Sequence, residues 1–308
     1  DTDEDIRRVI DAAQVLIPND REVLHILPQE FIVDDQDGVQ NPLGMAAARL
    51  EVNVHIVTGS VTSAQNIIKC CNQSGLDVED IVLEPLSSSQ AVLSPDEQEV
   101  GVVLVDIGGG TTDVTIYSEG SIVHTAVLAL GGNHLTHDIA IGLGAPLHEA
   151  EEIKHNFGVA MSSMVNEDDM IDVPSVGGRN NRTMKKRVLA SIIEDRFREI
   201  FELITHEIEK THFHTLMASG VVITGGTCIM PGADRLASQV LNLPVRVGYP
   251  ENIAGLREMI YSPKFATSVG LVRYGITSNQ GKLNFVGDDT ILFHKVTRRM
   301  KDWMQDFF

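Results

Sequence analysis

The chain has 308 residues, 43% of them hydrophobic and 22% charged, with a formal net charge of −19. That length has room for more than one domain, and the acidity disfavours nonspecific nucleic-acid binding. Three cysteines, two of them adjacent (Cys70, Cys71 and Cys228), do not make a disulfide framework, and no run of 18 apolar residues spans a membrane. A reducing cytosol is the expected setting. Eleven histidines, His212 and His214 of THFHT included, lack carboxylate or cysteine companions at ligand spacing, so no metal site is assigned to histidine.

The opening DTDEDIRRVIDAAQVL is helical: Thr2 and Asp5 have capping-box spacing, and Ile6, Val9, Ile10 and Ala13 share one face. REVLHILPQEFIVDD and MAAARLEVNVHIVTG read as strands separated by the turn-rich DGVQNPLG. Thr62 to Gln73 is a helix ended by Gly75, followed by an expected short strand, DIVLEP, and a short helix opened by Glu84-Pro85. From Gly101 come three consecutive strands, GVVLVDI, TTDVTIY and SIVHTAVLAL, ended by Gly131-Gly132. The helices NHLTHDIAIGL and EAEEIK follow. Residues 158–183 are polar and Gly/Asn-rich, predicting loops around a short strand at MIDVP.

A long amphipathic helix is expected from Thr183 to His212, with Val188, Leu189, Ile192, Ile193, Phe197, Ile200, Phe201, Ile204 and Ile208 at a 3.6-residue period. The buried strand GVVITGG, the helix GADRLASQVL and the helical FATSVGLVRYG come next, then a linker over 276–292.

Within LVDIGGGTTDVTIY, Asp106 ends a buried run before Gly108, Gly109 and Gly110. Such a turn lets amides approach an oxyanion, and the aspartate is placed to hold a hydrated cation; a plain tight hairpin is the alternative. Thr224-Gly225-Gly226 ends another apolar strand, where backbone can approach a ring or ribose, though strand-to-helix turns often need glycine anyway. Glu151 and Lys154, three apart on a helix, are by default a solvated pair. In chain order, a hairpin, a Glu/Lys helix and a GG turn describe one ligand-binding subdomain interrupted by another.

Those stretches carry a resemblance. LVDIGGGTTDVTIY resembles the second phosphate motif of the actin-like ATPase superfamily, VVITGGTCIMPG its adenosine motif, and LEPLSSSQAVL and FATSVGLVRYG its connecting motifs. Within that superfamily, IPNDREVLHILPQEFIVDDQDGVQNPLGM, RLEVNVHIVTG, VPSVGGR and RRMKDWMQDFF are similar to the FtsA family of bacterial cell-division proteins, from Asp1 to Phe308 in family order. The resemblance implies an α/β, ribonuclease H-like actin fold of two lobes. Lobe 1 is expected to be incomplete, because the family's first phosphate loop lies ahead of Asp1; ATP binding by these residues alone would be weak. The implied domains are a partial 1C (1–55), a strand–helix–strand remnant of 1A (56–100), 2A (101–143 and 219–275) and 2B (144–218).

The resemblance also implies roles. Asp106 would hold Mg²⁺ through water, and Gly108, Gly109, Gly110, Thr111 and Thr112 would cradle the β- and γ-phosphates of ATP. Glu151 and Lys154 would touch the ribose, Gly225, Gly226 and Thr227 the adenosine, and Glu84 would orient a cation or water. Implied partners are the acidic-hydrophobic C-terminal tail of FtsZ, other division proteins, further copies of the chain in an actin-like filament, and an anionic membrane. Arg187, Arg196 and Arg198 are candidate contacts for the tail, unless they only pair with Glu194 and Glu199 along their helix.

The segment 293–308 is amphipathic on helix geometry alone. Phe293, Val296, Met300, Trp303, Met304 and Phe307 form one stripe, and Lys295, Arg298, Arg299 and Lys301 lie off it. A last helix packed on its own domain is the bland alternative; the loose linker, local basicity and interfacial aromatics favour a membrane-surface helix, as the resemblance also implies. The expected function is an adaptor tethering FtsZ polymers to the cytoplasmic face of the cell membrane at the division septum, at most a weak ATPase. The alternatives are an actin-fold kinase or ATPase, for which no catalytic aspartate or sugar-binding surface is identifiable, and a pilus-assembly or shape-determining actin homologue.

Overall fold

The computed structural model describes residues 2–13, 21–175, 181–211, 218–251 and 257–279. They fall into two compact units. One is built on residues up to Leu83 with the end of the last described helix from Tyr274, the other on Glu84–Arg273.

In the first unit, α1 (Asp3–Ala12) begins at the expected capping box: the Asp5 amide donates to the Thr2 hydroxyl at 3.3 Å, and the Thr2 amide to the Asp5 carboxylate at 3.0 Å. Ile6 and Ile10 bury against Phe31 of β1 (Arg21–Val33). The chain turns through Asp34 and Asp35, both left-handed at φ 47° and 70°, into β2 (Gln36–Val39). Part of the stretch read as turn is therefore a strand. The Asp34 carboxylate fixes this corner by accepting from the amides of Ala48 and Arg49 at 2.9 and 2.8 Å. β3 (Leu50–Ser60) pairs antiparallel with β1 from Val33↔Leu50 to Arg21↔Ser60, giving the order β2-β1-β3. α2 (Val61–Gln73) follows, capped by Ser60.

The expected strand DIVLEP does not form. Residues 76–83 have no regular structure, and side chains take two of their amides. The Leu83 amide donates to buried His25 Nε2 at 3.0 Å and the Ile81 amide to the Asp80 carboxylate at 2.7 Å. A strand–helix unit stands where strand–helix–strand was expected.

The second unit opens with α3 (Glu84–Val92) and α4 (Pro95–Val100), the latter started by a Ser94/Glu97 capping box. β4 (Val102–Ile107), β5 (Thr112–Ser118) and β6 (Ser121–Leu128) form the antiparallel meander that the alternation predicts. α5 (Gly132–Leu143) and α6 (Leu147–Phe157) follow, then β7 (Met170–Val173) and β8 (Arg182–Lys185) paired as a ribbon, and α7 (Lys186–Glu209). Because Thr183–Lys185 pair with β7, the long helix starts at Lys186 rather than Thr183. β9 (Val221–Thr224), α8 (Ala233–Leu241), β10 (Val245–Val247), α9 (Arg257–Ile260) and α10 (Ala266–Asn279) complete the order. α10 runs past 276, where a linker was expected to begin. The rest of that linker and the segment 293–308 lie outside the described residues.

The five-stranded sheet has the order β10-β9-β4-β5-β6, with β9 parallel to both β4 and β10. Its core joins Val103, Val105 and Val114 to Leu135 and Ile139 of α5 and to Leu189, Ile193, Phe197, Phe201 and Ile204 of α7, with the Phe197 and Phe201 rings stacked at 5.7 Å. Val188, expected on that stripe, is 42% exposed. Parallel pairing brings Asp106 of β4 opposite Thr224 of β9, so the turns after both strands open at the same end of the sheet.

Candidate functional site

Asp106 is 3% exposed, yet it carries a carboxylate. Burial pushes its pKa up, partly countered by the hydroxyls of Ser88 and Thr267; Ser88 Oγ donates to Asp106 Oδ2 at 2.7 Å. Across the β4–β5 pair, Asp106 stands directly opposite Asp113. Burial, then the charges of Glu84 and Asp106, raise Asp113 to about 6. Glu84, on the first turn of α3, is raised by burial and then by Asp106. Like charges opposite one another on a β pair repel, and no lysine or arginine among the described residues offsets these three. The described residues hold no group of three ligands placed to grip a metal directly. The arrangement suits a cation that keeps its water shell, as Mg²⁺ commonly does.

Three glycine turns meet above this cluster. The Gly108 amide donates to Thr111 O at 3.0 Å and closes the first, while among the described residues the Gly109 and Gly110 amides donate to nothing. None of the three glycines has positive φ, and a Cβ at Gly110 would meet nothing within 4 Å. Neither strain nor packing among the described residues requires glycine at 110; a side chain there would fill open space at a turn whose two amides donate to no described residue. That fits a phosphate, which needs close backbone approach.

The second turn, Gly131-Gly132, buttresses the first: Gly132 and Asn133 amides donate to Gly108 O at 2.9 Å and Gly109 O at 2.7 Å. A Cβ at Gly131 would lie 2.7 Å from Gly108 O. In the third turn Gly225 has φ 91°, and its Cβ would lie 2.4 Å from Asp106 Oδ1. Thr227 Oγ1 donates to Gly108 O at 2.9 Å, and Thr112 Oγ1 to Leu130 O at 2.8 Å. Asp106, Glu84, Gly108 to Thr112 and Gly225 to Thr227 are thus brought to one end of the sheet. The expected set lacks Asp113, Gly131 and Gly132. Counting outward from the 108–111 turn pairs 106 with 113, which makes the second aspartate legible; the GG pair reads in the sequence only as a strand end.

Glu151 and Lys154 come together, but inward. Buried Lys154 Nζ donates to Gly132 O at 3.1 Å, Thr136 Oγ1 at 2.8 Å and Glu151 Oε2 at 2.8 Å, which uses all three protons. Burial would raise Glu151, but the bonds from Lys154 and Thr136 outweigh it and hold the carboxyl below its ordinary range. Thr136 Oγ1 also meets Glu151 Oε2, and His155 Nε2 reaches Glu151 Oε1 at 3.0 Å. Lys154 therefore ties α6 to the Gly131-Gly132 turn and has no proton left for a ribose, whereas Glu151 is 39% exposed at its side chain. Ile229, two residues beyond Thr227, is an apolar side chain 49% exposed beside these turns.

On α7, Arg196 makes a two-pronged bond with Asp138 of α5, 2.6 Å from Nε and 3.0 Å from Nη2, and also touches Glu199. Arg198 pairs with Glu194 and Arg187 with Glu167, each at 3.1 Å. The six membrane-stripe residues lie outside the described residues.

The family model "Cell division protein FtsA" matches residues 103–270, and "SHS2 domain inserted in FTSA" matches 2–58. The cell division protein FtsA of Pseudomonas aeruginosa is 43% identical over 310 residues, spanning 99% of this chain and 74% of that protein. The chain belongs to the FtsA family. Among solved structures it is similar to MreB5 of Spiroplasma citri bound to ADP, with a TM-score of 0.58 and 18% identity over 73% of this chain and 68% of that one. It is similar also to a PilM-PilN type IV pilus biogenesis complex, with a TM-score of 0.59 and 16% identity over 89% and 72%. At those identities the likeness shows the fold alone, which is actin-like α/β. The pilus-assembly alternative shares that fold, and the family is FtsA.

Proposed function

We propose that this FtsA-family chain binds ATP with Mg²⁺ at the three glycine turns and serves as an actin-like adaptor, holding FtsZ polymers at the cytoplasmic face of the cell membrane and recruiting other division proteins. The observation that carries the nucleotide reading is the pair of amides at Gly109 and Gly110, which donate to no described residue, above a like-charged Asp106–Asp113 pair. The amides suit an anion and the carboxylates a hydrated cation; Mg·phosphate supplies both. When bound, Mg²⁺ neutralises charge on the phosphates and on this cluster. Asp106 would hold it through water with Asp113 and Glu84 nearby; Gly108 to Thr112 would take the phosphates, Glu151 the ribose, and Gly225 to Thr227 with Ile229 the adenosine.

The family supports self-association and a division role. Arg187 and Arg198, each in a single surface pair, are the α7 cations that an acidic FtsZ tail could draw off at little cost; Arg196 is committed to Asp138. Attachment to anionic lipid is assigned to the stripe of Phe293, Val296, Met300, Trp303, Met304 and Phe307. Its net contribution is about a few kcal/mol after partial insertion and helix ordering, hence reversible. The test is recruitment of labelled FtsZ to a supported anionic bilayer. FtsZ should bind only with the full chain present, and not with a chain ending at Leu292 or with FtsZ lacking its tail. FtsZ left in solution above a chain-coated bilayer would overturn the tethering reading.

A further inference from the structure

Three serines in a row on α3, Ser87, Ser88 and Ser89, are buried, and each hydroxyl serves a different neighbour. Ser87 Oγ donates to Thr267 O of α10 at 2.6 Å. Tyr117 of β5 donates to Ser89 Oγ at 2.7 Å, and Ser89 donates onward to Leu86 O at 2.9 Å within its own helix. Only Ser88 turns its proton on the candidate site, donating to Asp106 Oδ2 at 2.7 Å. Since that proton is spent on a carboxylate, the 3.0 Å contact between Ser88 Oγ and Thr267 Oγ1 must have Thr267 as donor. Thr267 lies 3.4 Å from Glu84 Oε1 and 3.5 Å from Asp106 Oδ2, longer contacts that do not compete well for its proton.

The other carboxylate oxygen, Oδ1, faces the bare Cα of Gly225. Asp106 is thus clamped, with one oxygen against a glycine and the other on a hydroxyl that a second hydroxyl orients. The packing that brings these hydroxyls together is close: a Cβ at Gly270 of α10 would lie 1.8 Å from Ser87 O.

We propose that Ser88 is a positioning residue for the cation, aiming the Asp106 carboxylate from beneath through a hydroxyl oriented by Thr267. The inference rests on the Mg·ATP reading and deepens it. A donor to a carboxylate both fixes its rotamer and supports its charge, so its loss should weaken a cation held on that carboxylate about tenfold or more. Ser87 provides the matched control, because it is equally buried, on the same helix, and bonded to a backbone carbonyl instead of to Asp106.

The experiment is calorimetric titration of Mg²⁺ into the full chain with saturating ATP, alongside urea unfolding, for wild type, Ser88→Ala, Ser87→Ala, Asp106→Asn and the double variant Ser88→Ala/Asp106→Asn. Both serine variants should lose similar stability. Only Ser88→Ala should lose Mg²⁺ affinity, and adding it to Asp106→Asn should change affinity no further. If wild type takes up no Mg²⁺ with ATP, the nucleotide reading itself fails. If wild type binds and Ser88→Ala binds equally well, or Ser87→Ala loses as much affinity, Ser88 is a packing residue and the proposal is overturned.

Discussion

Glycines 110 and 225 are one residue type with opposite reasons to be there, and the difference separates binding from folding. At Gly225 a side chain would meet Asp106 and Ile107 O at 2.4 and 2.5 Å on a left-handed backbone. Gly225→Ala should therefore cost about 2–4 kcal/mol in urea unfolding. At Gly110 a side chain meets nothing. Gly110→Ala should leave stability unchanged or slightly raised, by about 0.4–1 kcal/mol, while weakening Mg·ATP binding about tenfold or more. Asp113 adds a pH signature. A carboxyl raised from 3.8 to about 6 on folding holds its proton more tightly in the folded state, so stability falls as pH rises from about 4 through 6. Without Mg²⁺, the chain should lose about 1–2 kcal/mol across that window, and Asp113→Asn should flatten the profile. A flat wild-type profile would show that the carboxylates do not strain the fold. Asp106 was legible because it precedes an obvious glycine turn. Asp113 is legible only by counting the register across that turn, because TTDVTIY reads first as a strand.

Among the elements, α5 and α6 depend on one buried amine. Lys154 bridges the carbonyl that ends the Gly131-Gly132 turn to Thr136 and Glu151. Lys154→Met keeps the length but takes the ammonium donor from three acceptors, and should destabilise the chain by about 2–4 kcal/mol. Its thermal unfolding, compared with that of Glu151→Gln, tests this. If Lys154→Met melts like wild type, the clamp is not structural and the ribose role regains its residue. The element reading succeeded wherever a period stood alone, as in the β4–β6 meander and α7. It missed where tertiary pairing outvoted a local pattern. IVL in residues 81–83 looks like a strand core, yet that backbone is taken by His25 and Asp80. Thr183–Lys185 could begin α7 by composition, yet β7 offers them a ladder. α4 was passed over for want of apolar residues, although Ser94, Pro95 and Glu97 spell a helix start.

At the scale of the whole molecule, the actin-like architecture explains why a site spread over residues 84–267 is compact: parallel strands β4 and β9 deliver their turns to the same end of one sheet. Family membership was legible in contiguous motifs. The inward turn of Lys154 was not, because a Glu/Lys pair on a helix looks the same whether it faces solvent or a buried turn. The proposed FtsZ and membrane roles rest on the proposal that the nucleotide-bound adaptor is the working form, so the decisive measurement is at the glycine turns. It is calorimetric titration of ATP with Mg²⁺ and with EDTA, into wild type, Asp106→Asn and Gly110→Ala. Mg²⁺-dependent binding by wild type, weakened about tenfold or more in both variants, is the predicted result. Binding that ignores Mg²⁺, or that survives both substitutions unchanged, would contradict the assignment.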